Sequence, residues 1–200
     1  MIIVNDIEQG SPEWFEAKLG KPSASNASKI ITNDGKPSKQ RTGYLYELAA
    51  ERITGRREEG YKNANMEMGN EREQESRDLF EILNDVKVEQ VGLIYKTSKQ
   101  EILCSPDGLI GTEAGLELKN VLPKTQVKYL LAGGLPSEYF GQIQFSLYVT
   151  GFKKWQLFSY VPAMEPLHIV VERNDKYIEA LDRELKRFNE ELEETVRKIK

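Results

Sequence analysis

The chain of 200 residues holds a single cysteine, Cys104, and a single histidine, His168. One cysteine excludes an internal disulfide framework and a cysteine-rich zinc site, and it suits a reducing compartment. Cys104 stands in an apolar stretch and reads as core packing. His168 falls in a late strand-like segment away from any cluster of candidate catalytic groups, so imidazole is assigned no role. No apolar run approaches the ~20 residues needed to span a membrane. Met1-Ile2-Ile3-Val4-Asn5-Asp6 also lacks a basic segment followed by a long apolar one. A cytoplasmic location without membrane contact is therefore expected. An excess of positive charge is missing too: 28 Lys+Arg against 32 Asp+Glu give a formal net charge of −4, whereas phosphate binding usually rests on a basic surface.

The distribution of charge tells more than the sum. From Lys18 to Arg41 the chain carries Lys18, Lys21, Lys29, Lys36, Lys39 and Arg41 against the single acid Asp34, while the last third is acid-rich around Glu190, Glu191, Glu193 and Glu194. A basic N-terminal lobe with an acidic back is compatible with DNA binding, and equally with ordinary solvated charge. Hydrophobic residues make up 39% and charged residues 30%, proportions that let a globular chain bury a core. With no repeat, low-complexity tract or linker, one domain over residues 1–200 is expected.

Local patterns place the elements. Ser11-Pro12-Glu13 opens a short helix, with serine as cap and proline at the first helical position, and Trp14 is expected to pack into the core. Pro22-Ser23-Ala24-Ser25-Asn26-Ala27-Ser28 offers hydroxyls and the start of a second helix, features suited to an anion such as phosphate. Leu45, Leu48, Ala49 and Ile53 mark an amphipathic helix from Thr42 that stops at Gly55. Further helices are expected over Met66 to Leu83, Lys124 to Leu131, Glu138 to Val149 and from about Asp175 towards Lys200. Strands are expected over Val86 to Tyr95, Glu101 to Asp107, Leu116 to Val121, Trp155 to Tyr160 and Leu167 to Val171. The series predicts an α/β fold with a mixed central sheet flanked by helices.

One spacing carries chemistry. If the chain folds as a hairpin about Thr112, in the turn-rich stretch Gly111-Thr112-Glu113-Ala114-Gly115, then Asp107 lies opposite Glu117 and Ser105 opposite Lys119. Side chains alternate along a strand, so Glu117 and Lys119 share a face. Directly opposed Cβ atoms lie roughly 5 Å apart, near enough for two carboxylates to share a hard divalent cation. Without one they repel, so a cation or a shared proton is expected. Magnesium takes one or two carboxylates, several waters and substrate phosphate, and Lys119 is placed to orient a water or offset developing charge. Pro-Asp-Gly alone is a common turn, and Glu-x-Lys alone is a common surface ion pair. It is their combination at hairpin-matched spacing that points to a nuclease metal site.

The same residues, with Gln9-Gly10-Ser11-Pro12-Glu13-Trp14, Lys18-Leu19-Gly20, Ser23-Ala24-Ser25, Met68-Gly69, Glu73, Cys104-Ser105-Pro106-Asp107-Gly108-Leu109, Gly115-Leu116-Glu117-Leu118-Lys119 and Gln142-Ile143-Gln144-Phe145-Ser146, occur in an order that resembles the phage lambda exonuclease family. These are YqaJ-like viral recombinase nucleases of the PD-(D/E)xK superfamily. The resemblance covers most of the chain and implies a restriction-endonuclease-like core.

It further implies that Asp107, Glu117 and the Leu118 backbone carbonyl are metal ligands, with Glu73 a further candidate reaching in from a helix. Lys119 would be the catalytic lysine and Gln142 an active-site glutamine. Ser25 and Ser105 match positions that bind a terminal 5′ phosphate. Lys18 stands where relatives have arginine, and a point charge lacks the bidentate fork of a guanidinium. Lys124 is the nearest basic substitute for a phosphate-binding arginine missing after the Glu-x-Lys. Arg41 precedes the helix that in relatives arches over DNA and is a candidate groove residue. The implied cofactor is Mg²⁺, with Mn²⁺ a candidate substitute. The implied reaction is 5′-to-3′ exonuclease digestion of double-stranded DNA ends, releasing mononucleotides and leaving 3′ single-stranded tails. The implied setting is a homotrimeric ring paired with a single-strand annealing protein, made by a phage or prophage in a bacterial host. Asp…Glu-x-Lys fixes the chemistry but not the polarity, so an endonuclease or structure-specific nuclease on the same core stays open, as does a DNA-binding module with an inactive site.

Overall fold

The computed structural model describes residues 1–57 and 72–200. Helix α1 (Pro12–Lys18) is capped as expected, the Ser11 hydroxyl accepting the Trp14 N–H at 3.2 Å. A 3₁₀ turn (Ala24–Asn26) runs into the single-turn helix α2 (Ala27–Ile30). Helix α3 (Arg41–Thr54) buries Tyr44, Leu45, Leu48 and Ala49. Helix α4 (Glu73–Asn84) is the second part of the helix expected from Met66; residues 66–71, with Met68 and Gly69, lie outside the described residues.

The strands form two sheets. Strands β1 (Ile2–Val4), β2 (Leu93–Tyr95) and β3 (Leu103–Cys104) are antiparallel neighbours. Strands β4 (Gly108–Ile110), β5 (Ala114–Lys119), β6 (Lys154–Ser159) and β7 (Leu167–Glu172) lie in that order, with β5 and β6 parallel and the other pairs antiparallel. A parallel pair needs a long crossover, supplied here by α5 (Pro123–Ala132) and α6 (Ser137–Thr150). The result is the expected mixed α/β architecture, sheets flanked by helices.

Two of the expected strands are interrupted, and each break has a steric cause. Val86 to Tyr95 does not run as one strand: Glu89 exchanges two 2.8 Å bonds with Leu109, and the chain then passes Gly92 before β2 begins. Gly92 is pressed against the Ile7 carbonyl so closely that a Cβ would fall 2.2 Å from its oxygen. Glu101 to Asp107 is cut by Pro106, which has no N–H to give to a ladder, so β3 ends at Cys104 and the hairpin begins afresh at Gly108.

Helix α6 is the spine of the main core, fully burying Ile143, Phe145 and Leu147. Helix α7 (Asp175–Ile199) lays Tyr177, Ile178, Leu181, Leu185, Phe188 and Leu192 along one side at helical spacing. Phe188 stacks on Tyr44 of α3, ring centroids 5.7 Å apart. Burial of such a side chain contributes roughly 1.5–3 kcal/mol. Among the described residues, no helix is long and apolar enough to cross a membrane.

Strand β5 divides its two faces between packing and chemistry. Leu116 and Leu118 join Phe80 of α4 and Phe158 in a second cluster. The alternate residues Gly115, Glu117 and Lys119 therefore face the other way. Gly115 has no room for a side chain: a Cβ would meet three ring carbons of the fully buried Trp155 at 2.3–2.5 Å. Gly115→Ala should overpack this face and cost about 1–3 kcal/mol, read as a lower urea midpoint with an unchanged slope. An unchanged midpoint would show that the indole yields freely.

Candidate active site

The ladder between β4 and β5 pairs Gly108 with Leu116, Leu109 with Gly115 and Ile110 with Ala114, a register symmetric about Thr112. The ladder ends at Gly108: the Asp107 N–H donates at 3.1 Å to the carbonyl of Leu116, the residue already paired with Gly108, so Asp107 stands off the register that the spacing would continue. The direct cross-strand opposition expected from spacing is therefore not a ladder pair, but the two carboxylates lie within electrostatic reach of each other, Glu117 adding, after burial, to the rise in the Asp107 pKa. The Asp107 carboxylate folds back on β5, its Oδ2 accepting the Leu118 N–H at 2.6 Å. In a strand the N–H and C=O of one residue point to the same neighbour. The Leu118 carbonyl is therefore on the Asp107 side, where the ladder has ended.

Glu117 is buried, with 3% of its surface exposed. Its Oε1 accepts from Lys119 Nζ at 2.6 Å and from Gln142 Nε2 at 2.5 Å, so α6 and β5 together fix the carboxylate. One turn before Gln142, the Tyr139 ring centroid lies 4.9 Å from the Lys119 ammonium. Burial works against charge on Lys119, but the Glu117 and Asp107 carboxylates outweigh it and hold its pKa above the ordinary lysine value. The Asp107 carboxyl goes the other way from a usual acid: burial, then repulsion from Glu117, hold its pKa well above the ordinary value of 3.8, opposed by Lys119 and by the Leu118 N–H.

Glu73 reaches this centre through an intermediary. Its Oε1 accepts from Arg77 Nη2 at 2.5 Å, and the same buried guanidinium donates from Nε (3.3 Å) and Nη2 (3.2 Å) to the Asp107 carbonyl. The Glu73 charge adds to the rise at Asp107. Arg77 and Tyr139 were not singled out from sequence. The one signal for Arg77 is its i,i+4 spacing from Glu73 on the stripe that buries Phe80.

Among the described residues, no group of three or more His, Cys, Asp or Glu is arranged around a metal position. The donors gathered here are two carboxylates and a carbonyl. That set fits a hard cation which keeps waters and takes substrate phosphate, and the protonation favoured at Asp107 is what two close acids do when no cation balances them.

The residues assigned to phosphate fall into two places. Lys18, at the end of α1, and the exposed Ser25 border one cleft with Lys21, Ser23, Asn26 and Arg57. Burial and the nearby Arg57 charge lower the Lys18 pKa to about 7, against the pull of Glu117 and Asp107. Ser105 does not line this cleft. The Trp14 indole Nε1 donates to Ser105 Oγ at 2.7 Å, while the Lys18 ammonium lies 3.5 Å over the same indole. Trp14, expected in the core, is only half-buried, packing against the small cluster of Leu93, Tyr95 and Leu103, and it links the two residues. The expected position of Ser105 opposite Lys119 is corrected: Pro106 ends the strand, and the Ser105 hydroxyl turns to donate to the Gly92 carbonyl at 2.5 Å.

Two further placements depart from the sequence reading. Lys124 is exposed in the first turn of α5 and makes no hydrogen bond or ion pair among the described residues. Arg41 is not a free groove residue: its Nη1 lies 2.5 Å from Glu191 Oε2 and its Nε 3.9 Å from Glu184, with the guanidinium 5.3 Å from the Phe188 ring. Helix α7, 150 positions away in sequence, claims it.

Residues 13–153 match the model of the YqaJ-like viral recombinase domain. The chain belongs to that family. This YqaJ-like chain superposes on the alkaline exonuclease LHK-Exo of Laribacter hongkongensis with a TM-score of 0.86 and 30% identity, covering 94% of this chain and 96% of that one. A second LHK-Exo structure, in complex with dAMP, matches equally. A phage-related exonuclease of Haemophilus somnus 129PT shares the fold, with a TM-score of 0.68 and 13% identity over 90% of this chain and 96% of that one. The uncharacterised protein ExoD of Escherichia coli (strain K12) is 36% identical over 78 residues, 36% of this chain and 90% of that protein. The YqaJ-like chain is accordingly a member of an exonuclease-like nuclease family with a PD-(D/E)xK-type fold.

The raised Asp107 pKa has a consequence for stability. A proton held more tightly in the folded state stabilises it below the unfolded carboxyl's range, near the ordinary 3.8, and that contribution is lost as the pH rises through the folded value. In chelator, Asp107→Asn, which keeps an acceptor for the Leu118 N–H, should therefore melt higher than the native chain at pH 7 to 8. The gain should shrink as the pH falls towards 4. A variant that melts lower at neutral pH would contradict the repulsion described here.

Proposed function

We propose that this protein is a Mg²⁺-dependent 5′-to-3′ exonuclease on double-stranded DNA ends, releasing mononucleotides and leaving 3′ single-stranded tails for annealing. The observation that carries the reading is the close pair of acids Asp107 and Glu117, held beside a charged Lys119 and within electrostatic reach of a cleft bordered by cations and hydroxyls. The likeness to an alkaline exonuclease crystallised with the mononucleotide dAMP supports it.

Asp107, Glu117 and the Leu118 carbonyl would hold the cation, with Glu73 a further candidate; Mn²⁺ has the same preference for oxygen donors. When bound, the cation activates a water and offsets charge on the scissile phosphate. The protein's own groups do the rest. Gln142 donates to Glu117 and keeps its carboxylate aimed at the centre. Lys119, kept protonated by two carboxylates, acts as a donor: it orients the attacking water and stabilises charge growing on the phosphoryl oxygens. Lys18 and Ser25 engage the terminal 5′ phosphate from the cleft. Ser105, fixed by Trp14 and two residues before Asp107, connects that engagement to the scissile bond.

The acidic net charge suits a homotrimeric ring whose basic residues line a channel while the acids face outward, working with a single-strand annealing protein. The basic lobe available for such a channel is smaller than its composition suggests, since Lys29 pairs with Glu47, Lys36 with Asp34 and Arg41 with α7.

End-labelled linear duplex with Mg²⁺ tests the chemistry. The native chain should release mononucleotides from 5′ ends, and Asp107→Ala should abolish release while remaining folded. Lys119→Ala should slow it about 10²–10³-fold. Cutting of closed circular DNA would overturn the exonuclease reading, and persistent cleavage by Asp107→Ala would overturn the site. Static light scattering should report three chains per particle; a stable monomer at working concentration would contradict the ring.

A further inference from the structure

The cleft beside Lys18 holds more positive charge than the proposed function has used. Lys18, Lys21 and Arg57 all border it, with Ser23, Ser25 and Asn26 supplying neutral polar groups. The two acids at its edge are committed elsewhere. Glu47 Oε2 accepts from Lys29 at 2.9 Å, and Glu51 Oε2 accepts the Gly20 N–H at 2.7 Å. Glu51 Oε1 stands 3.9 Å from Arg57 Nε, the outer limit of an ion pair. Among the described residues, three basic side chains thus converge where neighbouring carboxylates leave them under-compensated, which is the electrostatic signature of an anion site.

Arg57 is held so that it can serve such a site. Helix α3 ends at Gly55, whose φ of 67° turns the chain out of the helix two residues before Arg57. The guanidinium carbon then lies 5.6 Å from the Phe15 ring centroid, a cation–π contact with α1. About 46% of the side chain stays exposed, so the fork of donors remains open to a ligand. Its charge reaches Lys18, where it is the second cause, after burial, of the lowered pKa. An anion seated between the two would relieve that repulsion.

We propose that Arg57 is the guanidinium that recognises the terminal 5′ phosphate and sets the preference for phosphorylated ends. The inference rests on the exonuclease reading above. A terminal phosphate monoester carries more charge than an internal diester and presents several oxygens at once. Lys18 offers it a point charge; a planar guanidinium offers two parallel N–H donors. Arg57 therefore supplies, from the end of α3, the bidentate contact that a lysine at position 18 does not make.

The test compares initial digestion rates on linear duplexes bearing 5′-phosphate or 5′-hydroxyl ends, using the full chain and its Arg57→Gln and Arg57→Lys variants. Loss of a charge-assisted contact should lower the phosphate-to-hydroxyl rate ratio about tenfold or more in Arg57→Gln, with partial recovery in Arg57→Lys. Inorganic phosphate should inhibit the native enzyme on phosphorylated ends and require a correspondingly higher concentration against Arg57→Gln. A native preference that Arg57→Gln leaves unchanged, even if both rates fall together, overturns the assignment alone and gives Arg57 a structural role against Glu51 and Phe15. A native enzyme that does not distinguish the two ends overturns the assignment together with the end-directed reading.

Discussion

Two carboxylates set against each other at the base of one hairpin are the constraint on which the rest of this structure depends. The β4–β5 hairpin brings Asp107 and Glu117 to one site, and a slip of one residue in its register would turn every side chain of β5 to the opposite face. The slip is opposed from both sides. Leu116 and Leu118 must meet Phe80 and Phe158 on one face, while Gly115 must meet the Trp155 ring on the other. With the register fixed, repulsion between the acids remains, and the surroundings manage it by donating to them. The Leu118 N–H binds Asp107, Lys119 and Gln142 bind Glu117, and Arg77 joins the Asp107 backbone to Glu73. These contacts organise the acids without neutralising both, and the proposed divalent cation would complete the charge balance.

The centre and the cleft form one device rather than two. Trp14 sits between them, its indole N–H on Ser105 and its ring beneath the Lys18 ammonium. Ser105 precedes Asp107 by two residues, with Pro106 stiffening the link. A ligand that shifts Lys18 therefore acts on the same indole that anchors the strand leading into Asp107. In this account, engagement of a terminal phosphate and alignment at the carboxylates are coupled through a short rigid path, which suits an enzyme that starts from ends.

What was legible in the sequence divides along a physical line. The meeting of Asp107 and Glu117 at one site could be read because spacing approximates geometry in a tight hairpin, although the ladder ends at Gly108 and Ser105 turns away from Lys119. The amphipathic helices α3 and α7 could be read because their apolar stripes repeat at helical spacing over several turns. Strand continuity could not, because Gly92 and Pro106 break it through a close approach to Ile7 and a missing N–H. Arg41 looked like surface charge because its acidic partners lie on a helix 150 positions away. Arg77 and Arg57 were hidden for a related reason. Each owes its role to groups brought near by tertiary packing, the Asp107 carbonyl for one and the Lys18 cleft for the other. The family resemblance supplied Glu73 and Gln142, which composition could not separate from their polar neighbours, and the structure places Gln142 on Glu117 and Glu73 one guanidinium away from Asp107.

The central claim is that the opposed acids are a cation site. Anomalous diffraction from crystals of the native chain grown with Mn²⁺ tests it most directly, because the ion scatters where the ligands put it. A cation site there should give a peak in contact with Asp107, Glu117 and the Leu118 carbonyl, at oxygen-ligand distances of about 2.0–2.3 Å. A structure that binds Mn²⁺ elsewhere, or leaves both carboxylates paired only with Lys119, Gln142 and the Leu118 N–H, would contradict it.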